Sequence, residues 1–251
     1  MNIIICKNYE DMSKAASEIV INQINQKPKT ILGLATGSTP LGLYQNLIHA
    51  YHNNQISFKD VITFNLDEYI GLDISHPQSY HQFMYHNFFS KIDIDISNTH
   101  LPKNDNEHMH QCAKSYNKLL NKSKIDLQIL GIGSNGHIGF NEPGTPFGNE
   151  VFIVELDEQT RKDNMRFFSS LDEVPKHAIT MGIKNIMRSK HILLLASGIE
   201  KSDAIYQMLK GPVIEDLPAS ILQLHPNVTV IIDEMAATKY LEYEKKSQFQ
   251  E

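Results

Sequence analysis

The sequence predicts an α/β fold in which a mostly parallel sheet is flanked by helices on both faces. Short β-branched runs alternate along the chain with amphipathic stretches, and most of the predicted strands are apolar throughout. Continuous apolar strands are typical of parallel sheets, whose two faces are both buried. A length of 251 residues suits one domain of this class. We therefore expect a single α/β domain over residues 1–251.

The predicted elements alternate along the whole chain. Apolar residues at helical spacing predict a helix over residues 9–25. Thr39 and Pro40 provide an N-cap and a first-turn proline for a second helix that runs to residue 49. The polar tail after about residue 240 is expected to fray. The predicted strands cover residues 2–6, 30–35, 61–66, 125–132, 191–196 and 228–232, and further helices cover 78–90, 105–121, 157–168, 182–188 and 200–210, before a charged C-terminal helix.

Composition and charge exclude several classes of protein. The 23 basic and 29 acidic side chains give a net charge of −6, which disfavours a nucleic-acid binder but not local binding of a small anion. No apolar run approaches the ~18 residues of a membrane span, and the first residues do not resemble a secretory signal. Two cysteines, Cys6 and Cys112, cannot form a disulfide framework. We expect a cytoplasmic protein without nucleic-acid or membrane partners.

Two short windows hold eight of the 13 glycines. Each window begins at the carboxyl end of a predicted strand, where α/β sheets bind ligands and where glycine lets the backbone approach them closely. The windows therefore mark a candidate binding edge. They contain Gly33, Gly37 and Gly42 around ATGSTP, and Gly131, Gly133, Gly136, Gly139 and Gly144 in GIGSNGHIGFNEPG.

The first window, with Thr36-Gly37-Ser38-Thr39 between a strand and a helix, has the features of a phosphate site. Free amides and the positive end of the helix favour an anion there. An ordinary capped turn explains the pattern equally well. The window lacks the lysine of a P-loop, so a nucleotide triphosphate is not implied.

The second window contains a G-x-G-x-x-G pattern from Gly131 to Gly136, which suggests a dinucleotide site. Such a site needs a helix that begins within the pattern. Pro143, Pro146 and the additional glycines make a long helix improbable at this place. The pattern therefore argues only weakly for a dinucleotide.

An acidic pair, Asp67 and Glu68, lies at the carboxyl end of the third predicted strand. Adjacent residues of an extended segment point in opposite directions, so only one of the two carboxylates can easily face a cleft. The spacing does not say which one does. A helix N-cap or a solvated pair is the alternative interpretation.

A histidine and a carboxylate, His137 and Glu142, lie in the second window. A histidine held by a carboxylate can move protons near neutral pH, although local backbone bonds would equally satisfy such a side chain. No Cys/His cluster or helical H-E-x-x-H pattern is present, so no metal is implied. A carboxylate base, a histidine–carboxylate pair and a phosphate cradle suit proton transfer on a sugar phosphate, such as aldose–ketose isomerisation.

Six segments closely resemble, in matching order, the glucosamine-6-phosphate deaminase (glucosamine/galactosamine-6-phosphate isomerase) family. They are LATGSTP, FNLDEYIGL, SYHQFM, GIGSNGHIGFNEPG, TRKDNMRFF and LQLHP. The resemblance runs from about residue 2 to residue 240. It implies a Rossmann-like fold of the sugar-phosphate isomerase type. It also implies a hydrolase or isomerase of amino sugar catabolism and N-acetylglucosamine degradation, which converts glucosamine 6-phosphate to fructose 6-phosphate and ammonia.

The same resemblance implies roles for individual residues. Asp67 would take the proton from C2 and return it to C1, so the pocket must raise its pKa or stabilise the enolamine. His137 would assist ring opening, with Asn135 and Glu142 orienting or supporting it. The chemistry needs no metal, pyridoxal or other cofactor, and the small-molecule substrate is the expected partner. The implied phosphate site consists of Thr36, Gly37, Ser38, Thr39, Arg166 and Lys201.

The chain departs from the family in two places. Some members carry an aspartate where this chain has Asn135, which reduces the implied role of this position to hydrogen bonding. Some members are activated by N-acetylglucosamine 6-phosphate through basic residues shortly after the NEP segment, where this chain reads Phe152-Ile153-Val154. We therefore expect no such activation. Residues 157–176 are expected to form a lid, since Arg166 must reach the phosphate from a separate segment. The oligomeric state is left open.

Two alternative functions remain at this point. A hydrolase similar to 6-phosphogluconolactonase would need an activated water but no base at C2. A non-catalytic sugar-phosphate sensor would need a DNA-binding module, and the first predicted strand begins at residue 2 without space for one. Ammonia release from glucosamine 6-phosphate would distinguish these functions.

Overall fold

The central element of the computed structural model, which describes residues 1–156, 161, 165, 168 and 170–248, is a parallel sheet. Its strands follow the order β1-β10-β9-β6-β2-β3-β5, and each pairs in parallel with its neighbours. The predicted fold class is therefore confirmed. The strands of this sheet are β1 (Asn2–Cys6), β2 (Ile31–Leu34), β3 (Ile62–Asn65), β5 (Thr99–His100), β6 (Leu127–Leu130), β9 (Ile192–Ala196) and β10 (Val228–Asp233).

Helices cover both faces of the sheet, so successive residues of a strand are buried on opposite sides. On β9, Leu193 and Leu195 pack in an apolar cluster with residues of α1 and α2, whereas Ile192 and Leu194 pack in a second cluster with residues of α4 and α6. This explains why the sequence of the strand is apolar throughout. The helices are α1 (Tyr9–Gln26), α2 (Leu41–His52), α3 (Tyr80–Asn87), α4 (Met109–Asn121), α5 (Ile183–Met187), α6 (Ser202–Lys210) and α7 (Thr238–Gln248).

Strands β2 and β6 are neighbours whose connections leave in opposite directions. The chain passes from β2 to β3 on one side, and from β6 towards β9 on the other. The crevice at the carboxyl ends of two such strands is the usual ligand site of an open α/β sheet. The two glycine windows follow these two strands and therefore meet there.

A smaller antiparallel sheet, which the sequence analysis did not predict, adjoins the main one. It has the order β4-β8-β7, with β4 (Asp67–Tyr69), β7 (Phe152–Glu155) and β8 (His177–Thr180). Leu66 joins the two sheets, because its N–H donates to Leu34 of β2 and its carbonyl accepts from Met181 after β8. The chain thus leaves the main sheet one residue before Asp67.

Several helix boundaries differ from the predicted ones. Helix α2 begins at Leu41 with Pro40 in the N-cap position and no side-chain cap, so the prediction of Thr39 as N-cap was wrong. Helix α4 begins at Met109 rather than at residue 105. Most of the helix predicted at 157–168 lies outside the described residues. Among the described helices, none has the length and apolar character that crossing a membrane requires.

Candidate active site

A cavity of about 690 Å³ lies at the carboxyl ends of β2 and β6, within the ~300–1,000 Å³ range of small-molecule sites. Three segments distant in sequence line it: the loop after β2, strand β4, and the loop after β6. Most of the predicted site residues are brought together here. These are Thr36, Gly37, Ser38, Thr39, Asp67, His137 and Lys201.

In the loop after β2, which lines the cavity, two backbone carbonyls have hydrogen-bond partners, whereas three backbone N–H groups have none among the described residues. The Tyr9 hydroxyl of α1 donates to the carbonyl oxygens of Ser38 and Thr39, at 3.0 and 3.2 Å. Among the described residues, no hydrogen bond uses the N–H groups of Gly37, Ser38 or Thr39. Gly37 has φ +88°, a conformation that glycine adopts without strain. Free amides beside the uncapped start of α2 make this loop suitable for an anion.

Asp67 is the carboxylate of the acidic pair that faces the cavity. It begins β4, lines the cavity and is 6% exposed. Burial, and secondarily the charge of Glu68, raise the pKa of Asp67 to about 8. Among the described residues, no hydrogen bond to the Asp67 side chain offsets this burial. A carboxyl with this pKa is a much stronger base than an ordinary aspartate once it is ionised.

Glu68 points the opposite way, as the alternation of a strand requires. It is fully buried, and its carboxylate accepts hydrogen bonds from the backbone of Tyr80 and His81 at the start of α3. His81 also contacts it through Nδ1, at 2.7 Å. Structure, not spacing, therefore decides which carboxylate can reach a ligand.

His137 lies in the loop after β6 with Asn135 and Glu142 beside it. The Asn135 side chain donates to Glu142 Oε2 at 2.8 Å and accepts from the His137 backbone N–H at 3.2 Å. His137 Nδ1 lies 3.5 Å from Glu142 Oε2, which is too long for a hydrogen bond but close enough for electrostatic attraction. Unlike His137, Asn135 and Glu142 are not among the described residues that line the cavity. Their arrangement suits them to orient the imidazole rather than to contact a ligand.

Gly133 allows the imidazole of His137 to lie against the backbone. A Cβ atom at this position would lie 2.3 Å from His137 Cε1 and 2.4 Å from Nδ1. No side chain larger than hydrogen fits without moving the ring. The glycine of the G-x-G-x-x-G pattern therefore makes room for a histidine, not for a dinucleotide.

Two side chains attach the His137 loop to the small sheet that carries Asp67. Asn141 Nδ2 donates to the carbonyls of Ile138 and Met181, at 2.8 and 2.9 Å. The Thr180 hydroxyl accepts from the Phe140 N–H at 3.2 Å. These bonds fix the loop of the imidazole relative to the strand of the carboxyl.

An aromatic wall beside Asp67 was not predicted from the sequence. It consists of Tyr69, Tyr80 and Phe140, all of which line the cavity. The ring centroid of Tyr69 lies 4.9 Å from that of Tyr80 and 5.9 Å from that of Phe140. The available signal was Tyr69 at position i+2 from Asp67, which places both side chains on one face of a strand. The wall and Asp67 line the same cavity, so the carboxyl lies in a partly aromatic environment.

Arg166, the remaining predicted phosphate ligand, lies outside the described residues, as does half of the predicted lid at 157–176. Phe168 is described, and it lines the cavity and stacks on His76 with 5.8 Å between ring centroids. No group of three His, Cys, Asp or Glu side chains in the described part of the chain has the geometry of a metal site.

Comparison with known proteins identifies the family. Residues 7–231 match the family described as glucosamine-6-phosphate isomerases/6-phosphogluconolactonase. The chain belongs to this family. Among its relatives in the glucosamine-6-phosphate isomerase family, a glucosamine-6-phosphate deaminase of Thermoanaerobacter pseudethanolicus is 54% identical over 239 residues, covering 95% of this chain and 94% of the relative. A glucosamine-6-phosphate deaminase of Clostridium novyi is 52% identical over 240 residues, covering 95% and 100%.

Solved structures of the family agree with this membership. A monomeric glucosamine-6-phosphate deaminase of the NagB superfamily superposes with a TM-score of 0.91 at 46% identity, covering 95% of this chain and 99% of that one. A 6-phosphogluconolactonase from Trypanosoma brucei shares the fold at 19% identity, with a TM-score of 0.79 and coverage of 95% and 98%. The family resemblance noted in the sequence motifs is confirmed, and the lactonases are distant relatives.

Proposed function

We propose that this protein is a glucosamine-6-phosphate deaminase, which converts glucosamine 6-phosphate and water to fructose 6-phosphate and ammonia. Relatives named for this activity are about half identical over nearly the whole chain. The observation that carries the proposal is the meeting of a buried carboxyl, an imidazole and a loop of free amides in one cavity. These groups match a base, a ring-opening acid or base, and a phosphate cradle.

In the proposed mechanism, Asp67 removes the proton from C2 of the open-chain substrate. The electron pair forms the C1–C2 double bond as the C1 carbonyl π bond breaks towards its oxygen. That oxygen takes up the proton that the substrate ammonium gives up, which leaves a neutral enolamine, and the Asp67 carboxyl then returns the C2 proton to C1. The resulting iminium at C2 adds water and loses ammonia, which leaves the ketone. The raised pKa of Asp67, caused first by burial, supports this role because a stronger base loses less free energy in taking a proton from carbon.

His137 acts earlier, in opening the hexose ring. It moves the proton between the ring oxygen and the C1 hydroxyl, while Asn135 and Glu142 hold the imidazole in its orientation. The 2.8 Å hydrogen bond from Asn135 to Glu142 is consistent with a role of this pair in orienting the imidazole. An asparagine suffices at this position because the bond requires a donor and not a charge.

The phosphate of the substrate binds to the loop of Thr36, Gly37, Ser38 and Thr39, with Lys201 and Arg166 as counter-charges. The free amides of the loop and the position of Lys201 at the same cavity support the assignment. Binding the phosphate at this end directs C1 and C2 of the sugar towards β4 and the loop after β6. The charged amine of the substrate acidifies the C2 proton, so the reaction requires no cofactor.

Further aspects of the proposal follow from the family. Isomerase and deaminase describe the reaction better than hydrolase, since the family is named for isomerisation. We place the protein in amino sugar catabolism and in the cytoplasm, where the free thiols of Cys6 and Cys112 would stay reduced. We also propose that N-acetylglucosamine 6-phosphate does not activate it.

The deciding experiment measures ammonia released from glucosamine 6-phosphate by the purified protein. The wild-type protein should release ammonia, and Asp67→Asn should lose that activity by several orders of magnitude while it stays folded. A fully active Asp67→Asn variant would show that another group is the base. Hydrolysis of 6-phosphogluconolactone without ammonia release would favour the lactonase alternative.

A further inference from the structure

The second carboxylate of the acidic pair, Glu68, has no part in the mechanism above, and its surroundings are unusual. It is 0% exposed and accepts four hydrogen bonds. The donors are the N–H groups of Tyr69 at 2.8 Å, Tyr80 at 3.0 Å and His81 at 3.0 Å, and His81 Nδ1 at 2.7 Å. Three of the four partners can only donate. Both carboxylate oxygens are used: Oε1 accepts from Tyr69 and Tyr80, and Oε2 lies against the N–H and the imidazole of His81.

The bonds of Glu68 also hold α3 in place. Tyr80 and His81 are the first two residues of this helix, and Ser79 caps it through its hydroxyl. Glu68 thus lies at the positive end of the helix, where a negative charge is stabilised. Since Tyr80 belongs to the aromatic wall, fixing the start of α3 also fixes the apolar surface beside Asp67.

Glu68 is the source of negative charge behind the base. Among the described residues, the phenols of Tyr69, Tyr80 and Tyr116 also interact with Asp67, but burial raises the pKa of each, so they are uncharged in the working range. His137 and Lys201 line the same cavity as Asp67. Glu68 alone presents a buried carboxylate from the same strand.

We propose that Glu68 is a positioning residue for the base: the charge of its buried carboxylate acts on the adjacent Asp67 carboxyl, and its bonds to α3 hold that charge in place. The proposal rests on the proposed function, since Asp67 is the base of that reaction. Two adjacent residues of one strand then have separate tasks. Asp67 exchanges the proton, and Glu68 presents its carboxylate from the opposite face of the strand, where it favours the protonated form of its neighbour.

The competing explanation is that Glu68 only anchors α3 and does not act through its charge. Two variants distinguish these explanations. Glu68→Gln removes the charge and keeps the length of the side chain. Glu68→Asp keeps the charge and shortens the side chain, so it weakens the anchor. If Glu68 acts through its charge, only Glu68→Gln changes the pH at which Asp67 titrates. If Glu68 is merely an anchor, both variants lower kcat and neither moves that pH.

The experiment records kcat/KM against pH for the wild-type protein and both variants. For Glu68→Gln, the midpoint of the limb that rises with pH should fall by about 1 to 2 pH units, whereas Glu68→Asp should stay within about 0.3 units of wild type. Because the substrate is the same throughout, its own titration cannot produce the difference. An unchanged midpoint in Glu68→Gln would overturn the proposal.

A second measurement needs neither substrate nor a folded variant. Carbon-13 NMR of the side-chain carboxyl carbons in the wild-type protein follows Asp67 and Glu68 separately. If Glu68 supplies the charge, Asp67 should titrate near pH 8 without a matching change in the chemical shift of the Glu68 carboxyl carbon. Proton uptake by Glu68 in the same step would refute the proposal. Failure to release ammonia would refute the proposed function alone, since the NMR titration would still report on the pair.

Discussion

Replacing Asp67 by asparagine should stabilise the protein at neutral pH while it abolishes the proposed activity. The amide has nearly the shape of a protonated carboxyl and cannot ionise. Among the described residues, no hydrogen bond to the Asp67 side chain would be lost. The wild-type carboxyl, in contrast, must keep a proton that it would release in the unfolded chain, and this costs folding free energy.

The magnitude follows from the pKa values of the two states. The pKa of Asp67 is 3.8 without its surroundings and about 8 in the folded protein. Between these values the folded state binds a proton that the unfolded state does not, so stability falls as the pH rises, by about 1.4 kcal/mol for each pH unit. At pH 7 the cost is about 4 kcal/mol, and it levels off above pH 8. The free energy of unfolding that Asp67→Asn gains over wild type should therefore be near zero at pH 4 and grow as the pH rises.

Urea unfolding of both proteins at several values between pH 4 and pH 8 gives this difference directly. Asp126→Asn is the matched control, because its carboxyl is buried but paired. Burial opposes ionisation of Asp126, yet bonds from Lys190, Lys27 and the Ile31 amide outweigh it and leave its pKa lowered. The contribution of Asp126 to the free energy of unfolding is fully present above the pKa that its carboxyl has in the unfolded chain. It is lost as the pH falls through the lower pKa of the folded protein. Asp126→Asn should thus destabilise by about 2 kcal/mol, without a slope from pH 5 to pH 8.

The reasoning fails if the stability difference between Asp67→Asn and wild type does not change with pH. Such a result would mean that Asp67 is ionised in the folded protein at neutral pH. It would also remove the explanation of why this carboxyl is an effective base. A loss of stability at pH 7 would likewise contradict the argument, because it would reveal a bond that the asparagine cannot make.

Three further outcomes are expected. Gly133→Ala should lower kcat/KM about 100-fold, since its Cβ would displace the His137 ring. Gly148→Ala is the control and should stay close to wild type, because nothing lies within 4 Å of the added Cβ and Gly148 does not line the cavity. Lys201→Ala should raise KM at least about tenfold, because a counter-charge of the phosphate is lost, and kcat should change less. N-acetylglucosamine 6-phosphate should leave the rate curve unchanged, since Phe152–Glu155 has no basic residue; a sigmoidal curve that becomes hyperbolic with this sugar would contradict the expectation.

Six of the seven strands of the main sheet could be predicted because their signals are local, whereas β5, with two residues, was not predicted. Each of its longer strands is a short apolar run, and residues such as Leu193 and Leu194 are apolar because both faces are covered. The small antiparallel sheet could not be predicted, since β4 has three residues and pairs with a strand more than a hundred positions later. A pairing between segments so far apart leaves little local pattern.

The sequence by itself determined the chemical groups and the sheet edge at which they lie: two glycine windows, an acidic pair, and a histidine with a carboxylate nearby. Tertiary structure alone decided which carboxylate faces the cavity and how strong a base it is. Asp67 and Glu68 are adjacent and both buried, yet one meets an aromatic wall and the other meets four N–H groups. The pKa of a carboxyl depends on the polarity and charge of its surroundings, and distant segments supply most of these surroundings only after the chain has folded.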